Sequence, residues 1–243
     1  MHDPDVIDKE ISKAFKFINE DKFNKAEEVI HALLSNSKDL KLNQFQNIAD
    51  ISLTLGKFEQ ARNTYIKANN LPGVALSFIL QKEIQKAKEI LVNTPDSPAK
   101  FWCRFLTELF SEEKNIRRWP AFFETRNFLE LTVYLLLKSN NQKYINLLVK
   151  NLNKLLNINL DSEKFIGYAY FHFGDMENAL LFLNNSIKRN AYDGEVFFVL
   201  GQLYLKKGSP LDALKMLENA QLLLPDHTPT KELLEKTKSM IEA

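Results

Sequence analysis

Two segments of this 243-residue chain repeat each other at a distance of 34 residues. GYAYFHFGDMENALLFL, starting at Gly167, aligns without a gap on GQLYLKKGSPLDALKML, starting at Gly201; Gly, Tyr, Gly, Ala, Leu and Leu recur in register. A period of that length constrains the fold more than composition does. It means one small supersecondary unit made several times over, each copy too small to bury its own apolar faces and obliged to stack on the next.

The unit is helical. Apolar residues recur at spacings of three and four, as in Leu200, Leu203, Tyr204 and Ala213, Leu214, Leu217, and sustained alternation is absent. The prolines at 4, 72, 95, 98, 120, 210, 225 and 229 fall between the periodic stretches or in their first turn, where a helix tolerates them. Short turns such as Leu55-Gly56-Lys57, Phe173-Gly174-Asp175 and Lys207-Gly208-Ser209 predict antiparallel helix hairpins.

These features resemble the tetratricopeptide repeat, a 34-residue helix-turn-helix unit with the pattern Trp-x2-Leu-Gly-x2-Tyr, then Ala-x3-Phe, then Pro. The best copy runs from Gly194 to His227, with Phe197 in place of Trp, then Leu200, Gly201, Tyr204, Gly208, Ala213, Leu217 in place of Phe, Ala220 and Pro225. The preceding copy, Leu160 to Asp193, keeps Ile166, Gly167, Tyr170, Gly174, Ala179 and Leu183. Arg126 to Asn159 is a divergent copy with Val133, Leu136, Asn140 in the turn, and Ile145. Toward the N-terminus, Phe45, Ile48, Ala49, Gly56, Ala61, Tyr65 and Ala68 keep the same phase, as do Ala14, Phe17, Ala26 and Ile30. A further copy around Ala75, Phe78, Ala87 and Leu91 follows so closely that its first helix must be shortened.

The resemblance implies an all-α fold, an α-α superhelix: a right-handed, tetratricopeptide-like solenoid of about six or seven antiparallel helix pairs with a C-terminal capping helix. The domain reading is 1–96 for three N-terminal repeats, 97–125 for an irregular helical junction, 126–227 for three more repeats and 228–243 for the cap, with Thr228 as N-cap and Pro229 at N1. Gly167 and Gly201 at repeat position 8 are expected to let the two helices of a pair approach closely, opposite the small residues Ala179 and Ala213 at position 20.

Several function classes are disfavoured by residue content. With 32 basic and 31 acidic side chains the net charge is +1, which argues against bulk electrostatic capture of nucleic acid or anionic lipid. Cys103 is the only cysteine, so no intrachain disulfide forms, and the four histidines, His2, His31, His172 and His227, stand singly. No metal, cofactor or catalytic residue is expected, and the chain is read as not an enzyme. No secretory n-region and no membrane-length apolar run occurs, and a cytoplasmic protein without a membrane partner is the expectation.

What a tetratricopeptide stack implies is a concave face for a protein or peptide. By the resemblance, this face is lined in the last three copies by Asn127, Glu130, Tyr134, Leu137 and Lys138; by Asp161, Lys164, Tyr168, Phe171 and His172; and by Glu195, Phe198, Gln202, Leu205 and Lys206. The candidate peptide-binding residues are Tyr134, Lys138, Lys164, Tyr168, Phe171, His172, Phe198, Gln202 and Lys206, with aromatic anchors and cations that would meet a partner's carboxylates. Equally open is that Phe171 and Phe198 only pack between neighbouring pairs. The carboxylate clamp of the family's chaperone adaptors is not present: Tyr168 stands where Asn would follow Lys164, and Val199 where Asn is needed in the next copy.

Residues 97–125 hold Trp102, Trp119 and the Arg117-Arg118-Trp119 cluster. They are read as a junction, with Phe101, Trp102, Phe105 and Leu109 filling a seam. The alternatives are a nucleic-acid-binding or regulatory module using this basic and aromatic segment, an accessory subunit of an enzyme complex, and self-association through the apolar face.

Overall fold

The computed structural model describes residues 4–35 and 40–242, with side chains from Val6 onward; His2 and Ala243 lie outside this range. Among the described residues there are fifteen helices and no strand: α1 (Pro4–Asn19), α2 (Phe23–Ser35), α3 (Leu42–Thr54), α4 (Phe58–Lys67), α5 (Leu71–Leu80), α6 (Ile84–Val92), α7 (Pro98–Phe110), α8 (Phe122–Lys138), α9 (Gln142–Lys150), α10 (Leu152–Ile158), α11 (Ser162–Phe173), α12 (Met176–Arg189), α13 (Gly194–Lys206), α14 (Pro210–Leu223) and α15 (Thr228–Glu242). The all-α class read from the sequence is the one that forms. The chain divides into two compact units, Met1–Glu124 with Leu135–Leu148, and Thr125–Tyr134 with Val149–Ala243.

One turn is used throughout. After α1, α3, α5, α8, α11 and α13, a single residue takes left-handed backbone: Asp21, Gly56, Lys82, Asn140, Gly174 and Gly208, with φ between 52° and 93°. The residue that follows donates its N–H back to a carbonyl in the last helical turn, from Lys22 to Phe17, Lys57 to Ser52, Glu83 to Phe78, Asn141 to Leu136, Asp175 to Tyr170 and Ser209 to Tyr204, all at 2.8–3.0 Å. This is the Schellman closure, which satisfies the orphan carbonyls of a helix end and reverses the chain within three residues. Three of the six positions are glycine and, with Asn140, visible in the sequence; Asp21 and Lys82 adopt the same conformation without having been marked there, Lys82 against the steric preference of its Cβ.

Helix starts are set by side chains. Asn70, Ser97, Asp175 and Asp193 each accept an N–H three residues on, at 2.9–3.2 Å, and cap α5, α7, α12 and α13. At α15 the helix begins at Thr228 itself, one residue earlier than the sequence suggests. His227 precedes it, its carbonyl accepting from the Thr230 N–H and its Nδ1 lying 2.7 Å from Thr230 Oγ1.

Within unit 2, α11 packs on α12 and α13 on α14, and α15 covers α14. A Cβ placed on Gly167 or Gly201 would lie 2.7 Å or 2.6 Å from Cγ of Leu183 or Leu217. The close approach expected from the glycines is therefore made against the large residue at repeat position 24. Ala179 and Ala213, at position 20, are fully buried beside it. Within unit 1, α1 to α6 pack as successive neighbours, and Ile7, Ile11, Ala14, Ile30, Ile48 and Ile51 form a core among α1, α2 and α3. Helix α7 is regular and packs on α5 and α6, burying Trp102, Phe105, Leu106 and Leu109. Cys103 is buried there with its thiol 3.6 Å from the Pro72 carbonyl, and burial pushes its pKa up to about 12, which removes it as a nucleophile.

The Arg117-Arg118-Trp119 cluster divides in the fold. Arg118 makes a two-pronged bond to the buried Glu124, at 2.8 and 2.9 Å, and its guanidinium lies 4.2 Å from the centre of the Phe101 ring. Trp119 packs on Phe105, with ring centres 5.4 Å apart. Both pack on neighbouring rings, although Arg118 stays 43% exposed, while Arg117 extends further into solvent, at 69% exposure.

Candidate peptide-binding face

In unit 2 the residues proposed from the sequence come from the first helices of successive repeats: α8 up to Tyr134, α11 and α13. Repeat spacing puts them on one side, because positions 2, 5, 9, 12 and 13 of a helix recur about every 3.6 residues. The structure joins most of them in one chain of contacts.

Lys164 is the centre of that chain. Its Nζ donates to Asp193 Oδ2 at 2.6 Å and lies 3.8 Å from Glu195 Oε2, with only 17% of the side chain exposed. Asp193 does two things at once, since its other oxygen caps α13 through the Val196 N–H at 3.2 Å. The start of one repeat is thereby tied to the first turn of the preceding first helix. The cation that the sequence offers to a partner's carboxylate is engaged with carboxylates of its own chain.

Tyr168 sits one turn further along α11, with the Lys164 ammonium 5.6 Å from its ring centre. Burial first, and then the carboxylates of Asp193, Glu195, Glu130 and Asp161, push its hydroxyl well above the usual phenol range. Glu130, on α8, is raised above the usual carboxylate range by burial, with Lys164 opposing the shift. His172 Nε2 lies 3.7 Å from Glu130 Oε1, and the His172 ring stands 6.5 Å from that of Tyr168 and edge-on to Phe171 at 5.3 Å. Lys206 of α13 places its ammonium 5.5 Å from the Phe171 ring centre.

Glu130, Lys164, Tyr168, Phe171, His172 and Lys206 are thus brought together. Phe198 lies apart, edge-on to His227 at 5.0 Å, beside the start of α15. Gln202 and Tyr134 are half-buried. Lys138 belongs to unit 1, where its ammonium lies 4.5 Å from the Phe23 ring centre. Asp193 is the participant the candidate residues omit. Its signal in the sequence is the Asp-Gly step before a periodic stretch, an N-cap signature that says nothing of Lys164.

Among the described residues, no three His, Cys, Asp or Glu side chains come together as a metal-ligand set, and no helix is long and apolar enough to cross a membrane.

Residues 45–72, covering α3, α4 and the start of α5, match the tetratricopeptide repeat family. None of the curated proteins matches the sequence. Among solved structures the chain is similar to a tetratricopeptide repeat protein from Parabacteroides merdae, with 17% identity over 96% of this chain and 98% of that one and a TM-score of 0.37. It is similar also to a thermophilic TPR protein in Thermus thermophilus, with 14% identity over 95% and 98% of the two chains and a TM-score of 0.34. A third likeness is to the APC/C hetero-tetramer Cut9-Hcn1, with 14% identity and a TM-score of 0.38; it covers 94% of this chain, which spans only 42% of that one. One tetratricopeptide repeat is matched, at 45–72; the same turn recurs along the chain and the same close helix contact in two successive pairs of unit 2, so the chain is built as a series of helix pairs like those of that repeat.

Proposed function

We propose that the chain is a non-catalytic cytoplasmic scaffold that takes a segment of a partner protein on the first-helix face of unit 2, around Tyr168, Phe171 and His172. The observation that carries this reading is the composition of the face. Half-buried aromatic rings and an exposed imidazole lie side by side, at 5.3 and 6.5 Å, on one helix. Rings in fixed positions with polar tips are what a binding surface needs, since they offer contact area at low cost in side-chain entropy. Lys164 acts by holding α13 in place and Lys206 by covering Phe171 until a ligand replaces it. The repeat order that accompanies this reading is three repeats in 1–96, a junction in 97–125, three repeats in 126–227 and a cap.

Site-specific photo-crosslinking tests it. A photoreactive residue at position 172 or 206 should capture a distinct protein in cell extract, the capture should disappear with Phe171→Ala, and a probe at the exposed Leu181 of α12 should capture nothing in common. Equal capture from positions 172 and 181 would remove the first-helix face as the site.

A further inference from the structure

A second site lies in unit 1, away from the face just described. Between α6, α7 and the loop that follows α7 there is a cavity of ≈ 340 Å³. Four cations line it, Lys88, Lys100, Arg104 and Arg117, against two carboxylates, Glu108 and Glu113. The volume is in the range of pockets that hold small ligands.

The carboxylates are occupied in holding the cations. Glu108 is buried, accepting the Arg117 backbone N–H at 2.8 Å and Arg104 Nε at 3.2 Å, with Arg117 Nε 3.9 Å away. Lys88 Nζ donates to Glu113 Oε1 at 2.7 Å. Lys100 pairs at 2.9 Å with Asp96, which is outside the lining and 76% exposed. Both guanidinia meet Glu108 through Nε, so their Nη groups take no part in that pairing. The fields of three of the cations converge: Glu113 is held below the usual carboxylate range by Lys88 first, with Arg117 and Arg104 adding to it.

The lining side chains carry an excess of two positive charges, offset in part by Asp96 beside Lys100, and these repel one another across a partly open space. A bound dianion relieves that repulsion. Leu91 and Val92 supply an apolar wall for the group that bears it. We propose that this cavity binds a phosphate monoester in its dianionic form, supplied by a free small molecule or by a phosphorylated side chain of a partner. Guanidinium groups suit the tetrahedral oxyanion because they present paired donors.

The test is calorimetric titration of the full chain with four probes: phenyl phosphate, phenyl sulfate, a doubly blocked phosphoserine tripeptide, and decauridylate. Phenyl phosphate should bind saturably and tighten by about tenfold from pH 5 to 7.5, because its second ionisation lies near pH 6. No histidine is among the lining residues to mimic that dependence. Phenyl sulfate, a monoanion of the same shape, should bind about tenfold more weakly at pH 7.5 and show no such slope. Arg117→Gln retains the backbone bond to Glu108, and it should weaken phenyl phosphate by about tenfold, as should Lys88→Gln. Lys215→Gln, on α14 in the other unit, should change nothing. Tripeptide binding tighter than phenyl phosphate assigns the site to a phosphorylated partner, and the reverse order assigns it to a free small molecule; both support the proposal. Absence of saturable binding, equal binding of sulfate and phosphate, indifference to both substitutions, or decauridylate binding that exceeds the monoesters and is lost in the same variants would overturn it.

Discussion

A Cβ on Gly201 would stand 2.6 Å from Leu217 Cγ, and the same relationship recurs one repeat earlier between Gly167 and Leu183 at 2.7 Å. The glycines are therefore where two helices come closest. The two sites differ in what can yield. At Gly201 the three nearest atoms all belong to the Leu217 side chain, whereas at Gly167 the backbone N of Leu183 also stands at 3.2 Å.

Gly201→Leu should destabilise the protein by roughly 1 to 3 kcal/mol through overpacking. Gly167→Ala should cost more than Gly201→Ala, because only at Gly201 can a side-chain shift release the helix-propensity gain of about 1 kcal/mol. Chemical denaturation of the three variants checks this order, and adding Leu217→Ala should recover part of the Gly201→Leu loss. A Gly201→Leu melt that coincides with the parent's would contradict the contact.

Lys82 and Gly174 occupy the same turn in different copies, with φ of 66° and 93°. A Cβ on Gly174 would meet no atom within 4 Å, so the demand there is conformational alone. Lys82→Gly should stabilise by about 1 kcal/mol and Gly174→Ala should destabilise by about 1 kcal/mol, the ordinary difference between a side chain and none in left-handed backbone. Thermal melts that shift in opposite directions would show the two turns to be equivalent.

Tyr65 donates its hydroxyl to Asp50 Oδ1 at 2.6 Å, and Gln46 donates to the same carboxylate at 2.9 Å. Burial raises Asp50 above the usual aspartate range, with both hydrogen bonds opposing the rise. The ionised form is thus disfavoured in the folded state, and that penalty develops as pH rises above the unfolded value and is absent below it. Tyr65→Phe should cost about 1.5 to 3 kcal/mol at pH 7, as expected for a bond to a charged acceptor, and less near pH 3. Stability measured at both pH values reads the difference.

Asp193 serves Lys164 through one oxygen and the α13 cap through the other. Asp193→Asn keeps a capping acceptor and removes the charge, whereas Asp193→Ala removes both. The alanine variant should be less stable than the asparagine variant by about 1 kcal/mol, the usual worth of an N-cap. Equal stabilities would show that the cap contributes nothing beyond the ion pair.

The helical class and the turns marked by glycine were legible in the sequence because the signals are local. Apolar spacings of three and four, Ala61, Ala179 and Ala213 at matching positions, and Gly56, Gly174 and Gly208 in the turns report on a few consecutive residues each. The left-handed turns at Asp21 and Lys82 were not legible, because the energy that holds a Cβ in that region comes from packing of the flanking helices, not from the residue itself. Within 97–125, read as a junction, the particular contacts of Arg118 with Phe101 and of Trp119 with Phe105 were not legible, for the same reason.

For the candidate face, the sequence alone determined which residues share one side of each first helix: Tyr168, Phe171 and His172 on one, Phe198 and Lys206 on the next. Only the tertiary structure decided that Lys164 reaches Asp193, 29 residues away, that Lys138 joins the other unit, and that Lys88 faces Arg104 and Arg117 across a cavity. Helical period is written in residues a turn apart. Charge partners are chosen where helices from distant parts of the chain meet, at distances no local pattern records.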